Sequence, residues 1–114
     1  MEVVNVKVKY IRPRYNNLKE WMEDENNVYI GRKNVVFIDG KRFPTEQSIW
    51  ANPFKLQSGN RKDMMIKYEH YIKEKIRTGE ITKDQLLELS NKTLGCWCKP
   101  EHCHGDILKK IVNE

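Results

Sequence analysis

Residues 93–97, Thr-Leu-Gly-Cys-Trp, carry no charge in a chain of which 32% is Asp, Glu, Lys or Arg. A run of that length without a polar face suits a strand with a neighbour on each side, so Lys92–Trp97 is expected in the middle of a sheet. The residues after it narrow the choice. Ile107, Leu108, Ile111 and Val112 recur at helical spacing, which predicts a closing helix over Asp106–Val112. A central strand leading through a short segment into a helix points to an α/β domain. In such sheets, ligands bind beyond the carboxyl ends of strands, where the next helix starts.

The rest of the chain fits that class. Val3–Tyr10 alternates apolar and polar residues and reads as one strand, stopped at Arg12-Pro13-Arg14 because proline supplies no ladder donor. Leu18–Met22 suits a helical turn, and Asp24–Asn27 a polar loop. Val28–Ile30 reads as a short strand ending at Gly31-Arg32. Val35–Ile38 and Lys41–Phe43 read as a hairpin about Asp39-Gly40, a pair that readily takes positive φ angles. Ser48–Phe54, SIWANPF, is expected as an ordered loop under the core, since Pro53 forces an extended or turn conformation before it. Met64, Met65, Tyr68, Tyr71, Ile72 and Ile76 predict a helix over Arg61–Arg77 that Gly79 ends. Thr82 and Gln85 form a capping-box pattern for a second helix, with Leu86, Leu87 and Leu89 as its buried face. The expectation is a single small α/β domain over residues 1–114, a sheet with flanking helices in two or three layers. A Rossmann-like topology is compatible with it.

Composition excludes several classes. No apolar run approaches a membrane span, and the first residues lack the pattern of a secretory signal. Cys96, Cys98 and Cys103 are an odd count crowded into eight residues, which is no disulfide framework. Reduced thiols and a cytoplasmic location are therefore expected. The net charge of +5 favours anionic partners. Nucleic acid is not favoured among them, because no RRM, helix-turn-helix or zinc-finger pattern is present.

Cys98–Asp106 falls at the strand-to-helix junction. Unpaired N–H groups and the dipole at a helix start stabilise anions and thiolates. Cys103 is thus expected to have a lowered thiol pKa and to be a candidate nucleophile. His104 is a candidate acid/base, and Asp106 either caps the helix or orients His104. These three are the candidate catalytic residues. Candidate ligand-binding residues are Cys98, Arg32 after a strand and a glycine, and Arg61 at a helix start whose dipole disfavours cations. Ser48, Trp50 and Asn52 add a hydroxyl, an indole and an amide able to hold a ring. Plainer roles exist for each: a surface ion pair for Arg32, a core ring for Trp50, a turn cap for Asn52. The ligand such a set suits is an anionic, nucleotide-like small molecule, bound with or without catalysis and with no cofactor. The alternative is structural zinc on Cys96, Cys98, Cys103 and His104 in a non-enzymatic module that touches nucleic acid through its basic surface. Against it, C-x-C-x₄-C-H lacks a C-x₂-C knuckle, and adjacent residues are awkward ligands for one tetrahedral ion. A third reading makes Cys96 and Cys98 small core residues and His104 a capping group.

VYIGR (28–32), SIWANPF (48–54), RKDMMIKYEHYI (61–72) and KTLGCWCKPEHCHGDIL (92–108) resemble the family known as domain of unknown function 4326, small domains of phages, large DNA viruses and bacteria. The resemblance runs from about Val4 to Ile111. It implies a compact α/β domain, brings no activity with it, and would place a viral chain in the cytoplasm of its host cell. The Cys…Pro…Cys-His ending is also similar to that of domain of unknown function 488, in which an Arg follows the Cys-His pair. Gly105-Asp106 stands there in this chain, so anion binding at the helix start would depend on backbone N–H groups and on Arg32 or Arg61.

Overall fold

The computed structural model describes residues 1–54, 61–99 and 101–114. Its elements are β1 (Glu2–Asn5), α1 (Val8–Ile11), α2 (Leu18–Glu23), β2 (Asn27–Tyr29), β3 (Val36–Ile38), β4 (Lys41–Phe43), α3 (Arg61–Thr78), α4 (Lys83–Leu87), β5 (Thr93–Cys96) and α5 (His104–Val112). The class is α/β, as expected. β1, β5 and β2 form a parallel sheet with β5 in the middle, and β3–β4 is a separate antiparallel hairpin. Thr93 stands opposite Glu2 on one side and Asn27 on the other. Three strands in the order β1-β5-β2 do not make the doubly wound, Rossmann-like sheet.

β5 is central because both of its faces are apolar. Leu94 and Cys96 are buried on one side with Ile30, Tyr68, Ile72 and Leu108, beneath α3, α4 and α5. Gly95 points to the other side, where Val6, Ile11, Leu18, Trp21 and Tyr29 form a second apolar cluster under α1 and α2. A β-carbon at Gly95 would overlap the Trp21 ring and the Val6 side chain. Glycine there lets the indole approach the sheet backbone. The arrangement is three layers, helices on both faces of a small sheet.

Local chemistry sets the boundaries. Asp39 (φ 54°) and Gly40 (φ 77°) are both left-handed, the pair of angles that closes the β3–β4 hairpin. Thr82 and Gln85 make the expected capping box: the Gln85 N–H donates to Thr82 Oγ1 (3.1 Å) and the Thr82 N–H to Gln85 Oε1 (2.9 Å). Gly79, at φ +85°, ends α3. Two expectations are corrected. Val3–Tyr10 is not one strand: β1 stops at Asn5, and Val8–Ile11 is a helical turn. The side-chain oxygen of Asn5 accepts the Lys7 N–H (2.8 Å), and its amide donates to the Lys99 carbonyl (2.6 Å), which bends the chain where β5 also ends. Leu87 is exposed rather than buried: in this five-residue helix Leu86 is the leucine that packs against the core, and the buried Leu89 lies in the turn that follows. α5 starts at His104, two residues before the expected start.

Candidate functional site

Because the three paired strands are parallel, the carboxyl ends of β2 and β5 lie at one edge of the sheet. β2 runs on to Gly31-Arg32 and β5 to Trp97-Cys98. Between them opens a cleft of about 220 Å³. Arg32 and Arg61 supply its charge, Asn52, Cys98 and His104 its other polar groups, and Val35, Phe54, Met64 and Trp97 its apolar walls. Among the described residues, no carboxylate lines it. A wider depression of about 730 Å³ lies over the α1–α2 face, but it mixes Arg12 and Arg14 with Glu2 and Asp24, so it offers no field of one sign.

Each arginine is held by backbone carbonyls. Arg32 donates through Nε (3.0 Å) and Nη2 (2.9 Å) to the Asn52 carbonyl, and through Nη2 (3.1 Å) to that of Phe54. Asn52 Oδ1 accepts the Phe54 N–H (2.9 Å), which shapes the turn that presents those carbonyls. Arg61 donates Nη1 to the His102 carbonyl (2.7 Å), tying the start of α3 to the approach to α5. Among the described residues neither guanidinium makes a salt bridge.

At the helix start, His104 is buried and its Nε2 lies 2.7 Å from the Ile30 carbonyl. A carbonyl only accepts, so Nε2 carries the proton and Nδ1, 3.6 Å from Cys103 Sγ, is left as an acceptor. Burial lowers the His104 pKa; the Ile30 contact works the other way, and Arg32 adds to the lowering. The ring is a neutral brace between β2 and α5, tied through its Nε2 proton to the Ile30 carbonyl. Asp106 does not orient it. Its carboxylate accepts the Cys103 N–H (3.0 Å) and pairs with Lys99 Nζ at 2.7 Å, closing a capping box on α5. Burial opposes the Asp106 carboxylate, but Lys99 and the Cys103 N–H outweigh it, and its pKa falls.

The expectation of an acidic thiol at Cys103 is corrected. Cys103 is fully buried, and its thiol is pushed far up, first by the Cys96 and Cys98 sulfurs that take its hydrogen bond and then by burial. The gain falls to its neighbours. The Cys96 thiol is lowered, and that of Cys98 is brought down to about 6, by the Cys103 thiol and then by Arg61, against burial. The mutual influence of the three sulfurs is what the sequence does not display. Of the three cysteines, only Cys98 lines the cleft.

Thus Arg32, Asn52, Arg61, Cys98 and His104 share one cleft, while Cys103 and Asp106 lie behind it. Ser48 and Trp50 do not join them. Ser48 Oγ accepts the Trp50 N–H (3.1 Å) in a local turn, and the buried Trp50 gives its carbonyl to the Tyr68 hydroxyl (2.6 Å). The rings on the cleft are instead Phe54 and Trp97, both inside the motifs and both passed over because their neighbours carry the more obvious chemistry. Pro100, part of the same motif, lies outside the described residues. Among those residues, no group of three or more Cys, His, Asp or Glu side chains is placed to hold a metal ion, the set Cys96, Cys98, Cys103 and His104 included. Nor is any helix among them long and apolar enough to cross a membrane.

Residues 14–114 match the family described as domain of unknown function DUF4326. Over 66 residues the chain is 39% identical to an uncharacterised 12.4 kDa protein in the nrdA-td intergenic region of Enterobacteria phage T4, covering 58% of this chain and 61% of that one. It is 33% identical over 94 residues to the uncharacterised protein R718 of Acanthamoeba polyphaga mimivirus, covering 75% and 65%. The chain therefore spans less than two thirds of the length of either relative. No solved structure matches it. The matched span takes in every residue of the cleft and the whole β5–α5 unit behind it, and the chain belongs to the DUF4326 family.

Proposed function

We propose that the cleft binds an anionic, nucleotide-like small molecule, with Arg61 and the open edge of Arg32 on its phosphate and Phe54 and Trp97 beside its ring. One observation carries the reading: two guanidiniums line one concave site that, among the described residues, no carboxylate lines. A guanidinium matches phosphate in a forked, charge-assisted pair that is stronger in a partly desolvated cleft than in water. At about 220 Å³ the cleft is smaller than a drug-sized site, which suits a phosphate with a sugar or a single ring. Binding is favoured over acid–base catalysis because His104 is buried and its Nε2 proton is committed to the Ile30 carbonyl.

The test is calorimetry with adenosine 5′-monophosphate, uridine 5′-monophosphate, inorganic phosphate and the uncharged nucleosides. At least one monophosphate is expected to bind and to slow alkylation of Cys98, while its nucleoside does neither. Arg61→Gln should weaken that binding by roughly tenfold or more, the worth of one charge-assisted hydrogen bond, and leave the melting point nearly unchanged. Equal affinity for nucleoside and nucleotide, or no loss in Arg61→Gln, sinks the proposal.

A further inference from the structure

We propose that Cys98 is a peroxide-reactive thiol and that Cys103 resolves it, so that oxidation closes a disulfide behind the cleft. This goes beyond the binding reading and does not depend on it.

Three features of the site carry the inference. Reaction with a peroxide needs a sulfur that the oxidant can reach. Cys98 borders the cleft and is half-buried, whereas Cys96 and Cys103 are 1% and 0% exposed. It also needs a group that favours thiolate and attracts the oxygen being displaced. The Arg61 guanidinium lines the same cleft as Cys98 and favours its thiolate, and the Asp106 carboxylate, which does not line the cleft, opposes it more weakly. A lasting product needs a second thiol already beside the first. Cys98 packs against the buried cluster that contains Cys103, and the Glu101 N–H turns the chain back on the Cys98 carbonyl (2.8 Å), so Cys103, five residues on, stands beside it to attack once Cys98 is oxidised. The lowered Cys98 pKa adds support, since a thiol with a value of about 6 is mostly thiolate at neutral pH. All three cysteines are free in the reduced chain.

The chemistry balances with a hydroperoxide as the oxidant. The Cys98 thiolate attacks one peroxide oxygen. The S–O bond forms as the O–O bond breaks, and the departing hydroxide takes a proton to leave as water. Cys98 is then a sulfenic acid, oxidised by two electrons, and the peroxide has been reduced by two. The Cys103 sulfur next attacks the Cys98 sulfur. The S–S bond forms, the S–O bond breaks, and the hydroxide leaves as water with the proton from Cys103. Cys96 touches the same partner, so it is the competitor that the test must separate.

The reduced, intact chain is treated with equimolar and then excess hydrogen peroxide, and its mass and free thiols are followed. The wild-type chain is expected to lose two hydrogens and two titratable thiols, both restored by dithiothreitol. Cys96→Ser should still do so, while Cys98→Ser should react about tenfold more slowly or not at all, having lost the only accessible thiolate. In Cys103→Ser, dimedone should trap a sulfenic acid at Cys98. Serine also caps helices, and should this variant not fold, the other two still decide. Three free thiols after excess peroxide, a disulfide that survives Cys98→Ser but not Cys96→Ser, or one zinc ion retained per purified chain overturns the proposal.

Discussion

The His104 ring meets three groups, the Ile30 carbonyl, the Cys103 thiol and the Tyr68 ring 5.0 Å away, and feels the charges of Arg32 and Asp106, which respectively oppose and favour its protonation. Because burial lowers its pKa, the unfolded chain takes up a proton more readily than the folded one. The stability His104 contributes is then complete above pH 6.5, its ordinary value, and is lost as pH falls below it. The melting point should drop between pH 6.5 and 5, before the carboxylates titrate, and His104→Gln should flatten that slope. A rise in melting point over this window would mean that His104 is charged in the fold. At this scale the sequence was partly legible. A histidine after a cysteine at a helix start announces a polar role, and Arg32, Asn52 and Arg61 were legible as polar residues in loops or at a helix start. What the sequence cannot display is which thiol keeps its proton. That depends on Cys96 and Cys98 approaching Cys103 from the end of β5, and on Arg61 arriving from a helix more than thirty residues earlier.

Elements were easier to read where periodicity and caps agree. α3, α4 and α5 combine apolar spacing with a glycine stop or a capping box, and the charge-free run of β5 marked its central place. β1 was over-extended because Lys7 and Lys9 are exposed in either conformation, so alternation alone does not separate the strand from the helical turn beyond it. The break comes from Asn5, whose partners at Lys99 and Trp97 lie more than ninety residues away. Gly95 is the element-scale counterpart. Its strand pairs on both edges and it lies under Trp21, so Gly95→Ala should force the α2 indole outward. A destabilisation of about 1–3 kcal/mol is expected, read as a melting point lower by roughly 4–20 °C in a domain of this size. Thermal melts check it, and an unchanged midpoint would mean that α2 shifts freely over the sheet.

Across the whole molecule, the excess of five positive charges is spread over exposed side chains such as Lys7, Lys9, Arg12 and Arg14, whereas the cleft concentrates one sign in a concave site. The two should behave differently in salt. Weak binding of oligonucleotides to the outer surface is expected to vanish between roughly 50 and 200 mM salt, through counterion release. Fluorescence anisotropy at a series of salt concentrations checks this, and Arg61→Gln should change it little. Sequence-dependent binding that persists at high salt would instead make nucleic acid an intended partner.

The order β1-β5-β2 has a kinetic consequence. The first two strands of the sheet never touch; each waits for residues 93–96, so Glu2 finds its partner only after ninety intervening residues have been made. Closing so long a loop is a large entropic step taken before any pairing repays it, and such topologies fold slowly for their size. During synthesis, at roughly 5–20 residues per second, the strands on either side of the gap stay unpaired for several seconds. The segment that completes the sheet is also the one that brings the three thiols and the wall of the cleft, so the fold and the site are finished in the same event.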